Sequence, residues 1–232
     1  MQKILITCEH GGREIPKEYE KYFEAHRERL ETHRGWDIGA LELYKKFVAA
    51  GADASFFSET SRLLVELNRS QHHPNLFSDI TLQTSEVERQ AILAAHYQPY
   101  RQEVENAIRS FTSQNHSVLH LSVHSFTPEL NGEIRNADIG LLYDPQRQRE
   151  KEFCANWKKE IEQSDPVLKV RFNYPYRGTA DGFTTYLRKK FPDEQYAGIE
   201  LEVNQKFPQG NIENWEKLQQ IIVQSFRNAV NA

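Results

Sequence analysis

The sequence predicts a single three-layer α/β/α domain built on a mixed, mostly parallel sheet, and three observations carry that expectation. Short strand-like runs alternate with helical patterns along the whole chain. Runs such as Ile4 to Ile6 and Leu63 to Val65 are uninterrupted, as in central strands buried on both faces. Two runs end in histidine, His10 ahead of Gly11-Gly12 and His124 ahead of Ser125-Phe126, which sets reactive side chains where open sheets bind ligands.

The elements follow in order. Strands are expected near 3–8, 53–57, 63–67, 117–123, 138–143, 168–172 and 197–203. Helices are expected near 36–50, 86–112, 146–163, 182–190 and 212–230. In the first helix Asp37, Leu41, Tyr44 and Val48 share one face. Ser85 with Glu88 forms a capping box that opens the long helix, and Pro99 interrupts it.

At 232 residues the chain can bury a core without disulfides or structural metals, and no repeat, low-complexity segment or Pro/Gly/Ser-rich linker divides it, so one domain over 1–232 is expected. A net charge of −4 with dispersed basic residues argues against nucleic acid as a partner. The two cysteines, Cys8 and Cys154, lie far apart without a CxxC pairing, which suits a reducing cytoplasm. No apolar run approaches the length of a membrane span, and Met-Gln-Lys leads directly into the first strand with no room for a signal peptide. The expectation is a soluble, cytoplasmic monomer or small homo-oligomer that does not bind membranes.

Two strand-end histidines suggest a metal site, and a catalytic metal needs a third protein ligand. Asp37 is the best candidate, because a carboxylate on a core-facing stripe demands a cation. Capping of its own helix is the simpler alternative. His72, His73, His26, His33 and His116 read as loop residues, whereas His96 and His120 read as packed within their elements. In Ala197-Gly-Ile-Glu-Leu-Glu-Val-Asn204 the alternation puts Glu200 and Glu202 on one face, and one of them could move a proton to and from a metal-activated water. By composition alone an acidic, solvated edge strand is the better explanation of that pattern.

Arg69 in Glu66-Leu-Asn-Arg69 and Arg177 in Tyr174-Pro-Tyr-Arg177 are candidate anchors for an acidic small-molecule substrate, since a guanidinium fork matches a carboxylate. The segment Gly178 to Gly182 would let backbone N–H groups approach a ligand ahead of a helix starting near Phe183. Cys8, two residues before His10, is a weaker candidate nucleophile.

Five motifs in order, Cys8-Glu-His10-Gly-Gly with Pro16 following, Trp36-Asp37-Ile-Gly, Glu66-Leu-Asn68-Arg69, His124-Ser125-Phe and Glu200-Leu-Glu202-Val-Asn-Gln205, resemble the N-formylglutamate amidohydrolase family over residues 3 to about 207. That family is similar in fold to the zinc carboxypeptidases, a phosphorylase/hydrolase-like architecture, and to the zinc N-acetylmuramoyl-L-alanine amidases. The resemblance implies Zn2+ or another divalent metal on His10, Asp37 and His124. It implies Glu202 as the base and Asn68 with Arg69 at the substrate carboxylate. Arg177, in a segment that departs from the pattern of the histidine-degradation deformylases, is a further catalytic and substrate-binding candidate, and Ser125 a further substrate-binding one. Carboxypeptidases carry a glutamate three residues after the first histidine; here that place is Arg13 and the next is Glu14, which makes Glu14 a rival ligand. The implied activity is hydrolysis of an N-acyl amino acid such as N-formyl-L-glutamate, in amino-acid metabolism of the histidine-degradation kind. A muramoyl amidase-like or peptidase-like hydrolase and a non-catalytic binding protein for acidic small molecules are the alternatives.

Overall fold

Six of the seven expected strands form, and all six join one sheet. The structure is a computed structural model that describes residues 1–232. Its strands are β1 (Gln2–Cys8), β2 (Ala54–Phe57), β3 (Ser117–Phe126), β4 (Ile139–Leu142), β5 (Val170–Phe172) and β6 (Tyr196–Asn204). They lie in the order β2-β1-β3-β6-β4-β5. The pairs β2/β1, β1/β3, β3/β6 and β4/β5 are parallel, and only β6/β4 is antiparallel. The mixed, mostly parallel sheet of the sequence reading is therefore present. A small hairpin, Glu129–Leu130 with Glu133–Ile134, follows β3.

The helices are α1 (Ala40–Gly51), α2 (Glu86–Ile92), α3 (Gln98–Ser113), α4 (Gln148–Ser164), α5 (Phe183–Lys190) and α6 (Ile212–Asn231). On one face of the sheet, Leu43 and Phe47 of α1, Trp157 and Ile161 of α4 and Trp215 and Ile222 of α6 pack on Leu119, Leu121, Val123, Ile199, Leu201 and Val203. On the other face, Val104 and Ile108 of α3 and Phe183 and Leu187 of α5 pack on Leu5, Val118 and Tyr196. Helices on both faces make the three layers. Each large side chain buried this way contributes about 1.5–3 kcal/mol. The first face is apolar along its length and can carry the fold, which frees the second for polar groups.

That second face changes character along the strands. It is apolar at their starts, with Val118 and Tyr196, and polar towards their ends, where His120, Ser122, His124, Glu200 and Glu202 follow at intervals of two. None of these polar residues is exposed to solvent by more than a tenth.

Three expectations need correction. The run 63–67 is not a strand: Leu63, Leu64, Val65 and Leu67 are buried in turns against Tyr19, Phe23, Ile80 and Ile92, with local bonds such as Leu64 N–H to the Ser61 carbonyl. A short apolar run satisfies burial in either backbone state, so periodicity could not separate them. The first helix begins at Ala40, not at 36, so Asp37 lies in the turn before it. The long helix 86–112 is present and interrupted as expected, but the break falls just ahead of Pro99 and not at it. Its capping box is present, α2 ends at Ile92, a π turn spans Leu93–Tyr97, and Pro99 sits in the first turn of α3, where its missing N–H does no harm.

His120 lies fully buried between the Thr7 hydroxyl at 2.8 Å and the Tyr196 hydroxyl at 2.7 Å. Burial holds its pKa down to about 4 from the usual 6.5. The folded state thus favours the neutral ring, and the stability this contributes is present above pH 6.5 and is lost as pH falls towards 4. The expected loss is up to about 3 kcal/mol over that window. In denaturant unfolding at pH 7 and pH 4.5, His120→Gln should lose less stability on acidification than the wild type. Equal losses would remove His120 from the acid response.

Candidate functional site

The site grows from the turn that follows β1. Gly11 N–H bonds the Ser58 carbonyl at 2.9 Å and Glu14 N–H bonds the Glu59 carbonyl at 2.9 Å, so the chain passes close beneath the 58–60 segment. A Cβ at Gly12 would stand 2.4 Å from the Glu59 carbonyl oxygen, which is why glycine occupies that place. The turn delivers His10 to the C-terminal edge of the sheet. The His10 carbonyl accepts the Asp37 N–H at 2.9 Å, which draws the turn ahead of α1 alongside. His124 arrives from the neighbouring strand, β3, in register with Glu202 of β6.

His10, Asp37 and His124 offer ligating atoms that all lie within 4.8 Å of one another. Asp37 Oδ2 stands 3.2 Å from His10 Nδ1 and 2.9 Å from His124 Nδ1, and the ring centroids are 5.0 Å apart. The far nitrogens of both rings face carboxylates. His10 Nε2 meets Glu66 Oε1, and His124 Nε2 lies 3.2 Å from Glu9 Oε2 and 2.8 Å from the Ser122 hydroxyl. Ser122 donates in turn to Glu9 at 2.6 Å. Arg62 closes a ring, donating to Asp37 Oδ1 at 3.1 Å and to Glu66 Oε2 at 2.8 Å. Imidazoles held by carboxylates behind, with their other nitrogens converging on an acid in front, are the arrangement of a metal-binding histidine pair.

The charge balance asks for a cation. Glu9, Asp37 and Glu66 are all buried around the cluster, and Arg62 is the one guanidinium paired with any of them. Burial would lower the His124 pKa, yet Asp37 and Glu9 hold it well above its usual value, so the pocket strongly favours positive charge. Burial would raise Asp37, yet His10, His124 and Arg62 hold it well below the usual carboxylate range. Glu202 is different: burial pushes it up to about 8, with Asp37 and Glu200 adding like charge while His124 and Arg62 oppose them. Its Oε2 is buried and has no hydrogen-bond partner. A nitrogen–nitrogen–oxygen donor set beside an unpartnered carboxylate oxygen fits a divalent ion with an open position, and fits zinc by donor type.

The cluster lies in a cleft of about 110 Å3 that is also lined by Asn68, Arg69, Ser125, Tyr176, Arg177, Asp181, Glu200 and Glu202. Arg69 meets the Asp181 carbonyl and no carboxylate, and Arg177 is exposed at the rim without an ion pair. Asn68 lines the cleft, but its Oδ1 is occupied by the Phe183 N–H at 2.7 Å, so the first turn of α5 is satisfied by protein. Ser125 also lines the cleft, with its hydroxyl donated to the Ile38 carbonyl at 2.8 Å. Gly140 of β4 faces Glu202, and a Cβ there would stand 1.9 Å from the Tyr174 carbonyl oxygen and 3.2 Å from the Glu202 Cβ.

Two of the weaker alternatives lose support here. Glu14 is exposed and lies outside both cluster and cleft, paired by its backbone with Thr60, because the glycine turn carries it away from the sheet edge. Cys8 is fully buried in the α1/α4/α6 core and burial pushes its thiol well above its usual pKa, so it is inert as a nucleophile. The sequence reading missed Glu9, Arg62, Glu66 and Ser122. For Ser122 and Glu9 a signal existed, since both fall on the His124 face by the two-residue period.

Fold and cleft take their meaning from the family: a family model described as N-formylglutamate amidohydrolase matches residues 2–207, so the chain is a hydrolase of the amide-cleaving class. That span includes every cluster and cleft residue named above. The chain belongs to the N-formylglutamate amidohydrolase family. Among solved structures, its fold is shared with a gene product of Agrobacterium tumefaciens, at TM-score 0.81 and 24% identity over 99% of this chain and 90% of that one. It is also shared with N-formylglutamate amidohydrolase from Ralstonia eutropha JMP134, at TM-score 0.68 and 16% identity over 98% and 93%. A metallo-carboxypeptidase from Burkholderia cenocepacia overlaps at TM-score 0.42 and 11% identity, over 99% of this chain and 57% of that one. No curated protein sequence matches the chain, and no helix is long and apolar enough to cross a membrane.

Proposed function

We propose that this protein is a metal-dependent amidohydrolase that cleaves an N-acyl amino acid, with N-formyl-L-glutamate as the reference substrate, to a carboxylate and the free amine. The observation that carries the reading is the convergence of His10, Asp37 and His124 in a cleft that also holds Glu202 with a free, buried oxygen. His10, Asp37 and His124 would hold the ion, zinc by donor type, with Glu66 and Glu9 fixing the two imidazoles from behind. When bound, such an ion polarises the acyl oxygen and makes water nucleophilic at neutral pH.

The chain's own residues do the rest. Arg69, with Arg177 at the rim, grips the substrate carboxylate and sets the acyl carbon over the cluster. Glu202 takes a proton from the attacking water and delivers it to the leaving nitrogen as the carbon–nitrogen bond breaks. Two free, buried thiols, Cys8 and Cys154, suit a cytoplasmic setting.

The test is release of formate and glutamate from N-formyl-L-glutamate by the purified protein, with elemental analysis alongside. Turnover should vanish with a chelator and return on adding Zn2+; inactivity of metal-replete protein would overturn the reading. Arg69→Ala should raise KM about 10–100-fold with kcat little changed, because it removes a charge-assisted contact made equally in ground and transition states. An unchanged KM would take Arg69 out of substrate binding.

A further inference from the structure

A second cavity, of about 400 Å3, borders the first and shares Asp37, Arg62, Ser125 and Tyr176 with its lining. Its remaining lining includes His33, Arg34, Asn75, Thr127, Leu130 and Gln205, and Asp37 is its only carboxylate. Arg34 is exposed and has no ion pair. Arg135 stands beside the same space, donating to the Tyr176 hydroxyl at 3.1 Å and packing over the Tyr176 ring. Arg34 and Arg62 line this cavity together with His33.

Guanidiniums without carboxylate partners thus stand on both sides of the shared residues, Arg69 and Arg177 in the first cavity, Arg34 in the second and Arg135 beside Tyr176. If the amino-acid carboxylate sits on Arg69, the amide nitrogen is on that side and an extended acyl group is free to run towards the residues the two cavities share. A formyl group has no such extension and leaves the second chamber unfilled.

We infer, resting on the hydrolase reading above, that the preferred substrates are amides between an amino acid and a dicarboxylic acid, whose distal carboxylate is held by Arg34 and Arg135 in the second chamber. Hydrolysis then adds the water oxygen to the acyl carbon, breaks the carbon–nitrogen bond, sends the proton to nitrogen and releases a free dicarboxylate and the amino acid.

The experiment measures kcat/KM of the metal-replete protein on N-formyl-, N-butanoyl- and N-succinyl-L-glutamate, the last two matched in length but not in charge. N-succinyl-L-glutamate should exceed both others by about tenfold or more, the size expected of one charge-assisted contact. Arg34→Ala should shrink the succinyl-to-butanoyl ratio towards one. Formyl equal to or faster than succinyl, or succinyl no better than butanoyl, overturns the inference and leaves the hydrolase reading standing. Inactivity on all three overturns the hydrolase reading and this inference with it.

Discussion

Glu202→Gln should keep its metal and lose kcat by a factor of about 10²–10⁴, the range general acid–base catalysis supplies. Glutamine has the same shape and can still accept a hydrogen bond, so it tests proton transfer and little else. Glu202 suits that task on three counts. It lines the cleft beside the cluster, its Oε2 has no protein partner, and burial with the like charges of Asp37 and Glu200 raises its pKa to about 8, near the pH at which proton transfer is most effective. Elemental analysis of the variant should match the wild type while formate release collapses. A variant that turns over at the wild-type rate would remove Glu202 from the chemistry and leave the proton route to another group.

The second large effect is at Asp37. Asp37→Asn preserves volume and the contact with Arg62, but it removes the negative charge that faces both imidazoles. A unit charge pair about 4 Å apart at the effective dielectric of such a site interacts by on the order of 4 kcal/mol. A loss of that order corresponds to a factor of about 10³ in affinity, so the variant should be purified nearly metal-free and should need far more Zn2+ to regain turnover. Chelator competition measures the affinity directly, and circular dichroism checks that the turn before α1 still forms. Metal content and turnover equal to the wild type would show that the ion, if any, is held elsewhere.

Much of this molecule was legible before any coordinates. β1, β3 and β6 announce themselves by apolar runs that end abruptly, and those endings put His10, His124 and Glu202 at one edge of the sheet. Asp37 does lie beside the two histidines, but not by the geometry that suggested it. Its place on a helical stripe is not real, since it lies in the turn ahead of α1, and it reaches the cluster through the His10 carbonyl. What stayed hidden has a physical cause. Glu66 fell within a run read as a strand, where alternation would have turned it to one face of a sheet; only the turns over 61–69 bend it back to His10. Arg62 gains its role by bridging Glu66 and Asp37, a relation that spacing along the chain cannot express. Glu9 and Ser122 obeyed the two-residue period of their neighbours, but a buried serine and an acid before a histidine are unremarkable until the third dimension joins them.

Gly140 carries a consequence for how the mouth of the cleft can change. The missing side chain lets the Tyr174 carbonyl rest almost against the strand backbone, so the rim bearing Tyr176 and Arg177 is seated on the sheet with no slack between them. Adding one methyl there would lift that rim outward and crowd Glu202 at the same stroke. Access for bulkier compounds and the aim of the carboxylate are thereby geared together, and a lineage seeking a wider entrance without disturbing Glu202 would have to remodel the rim somewhere other than at this strand.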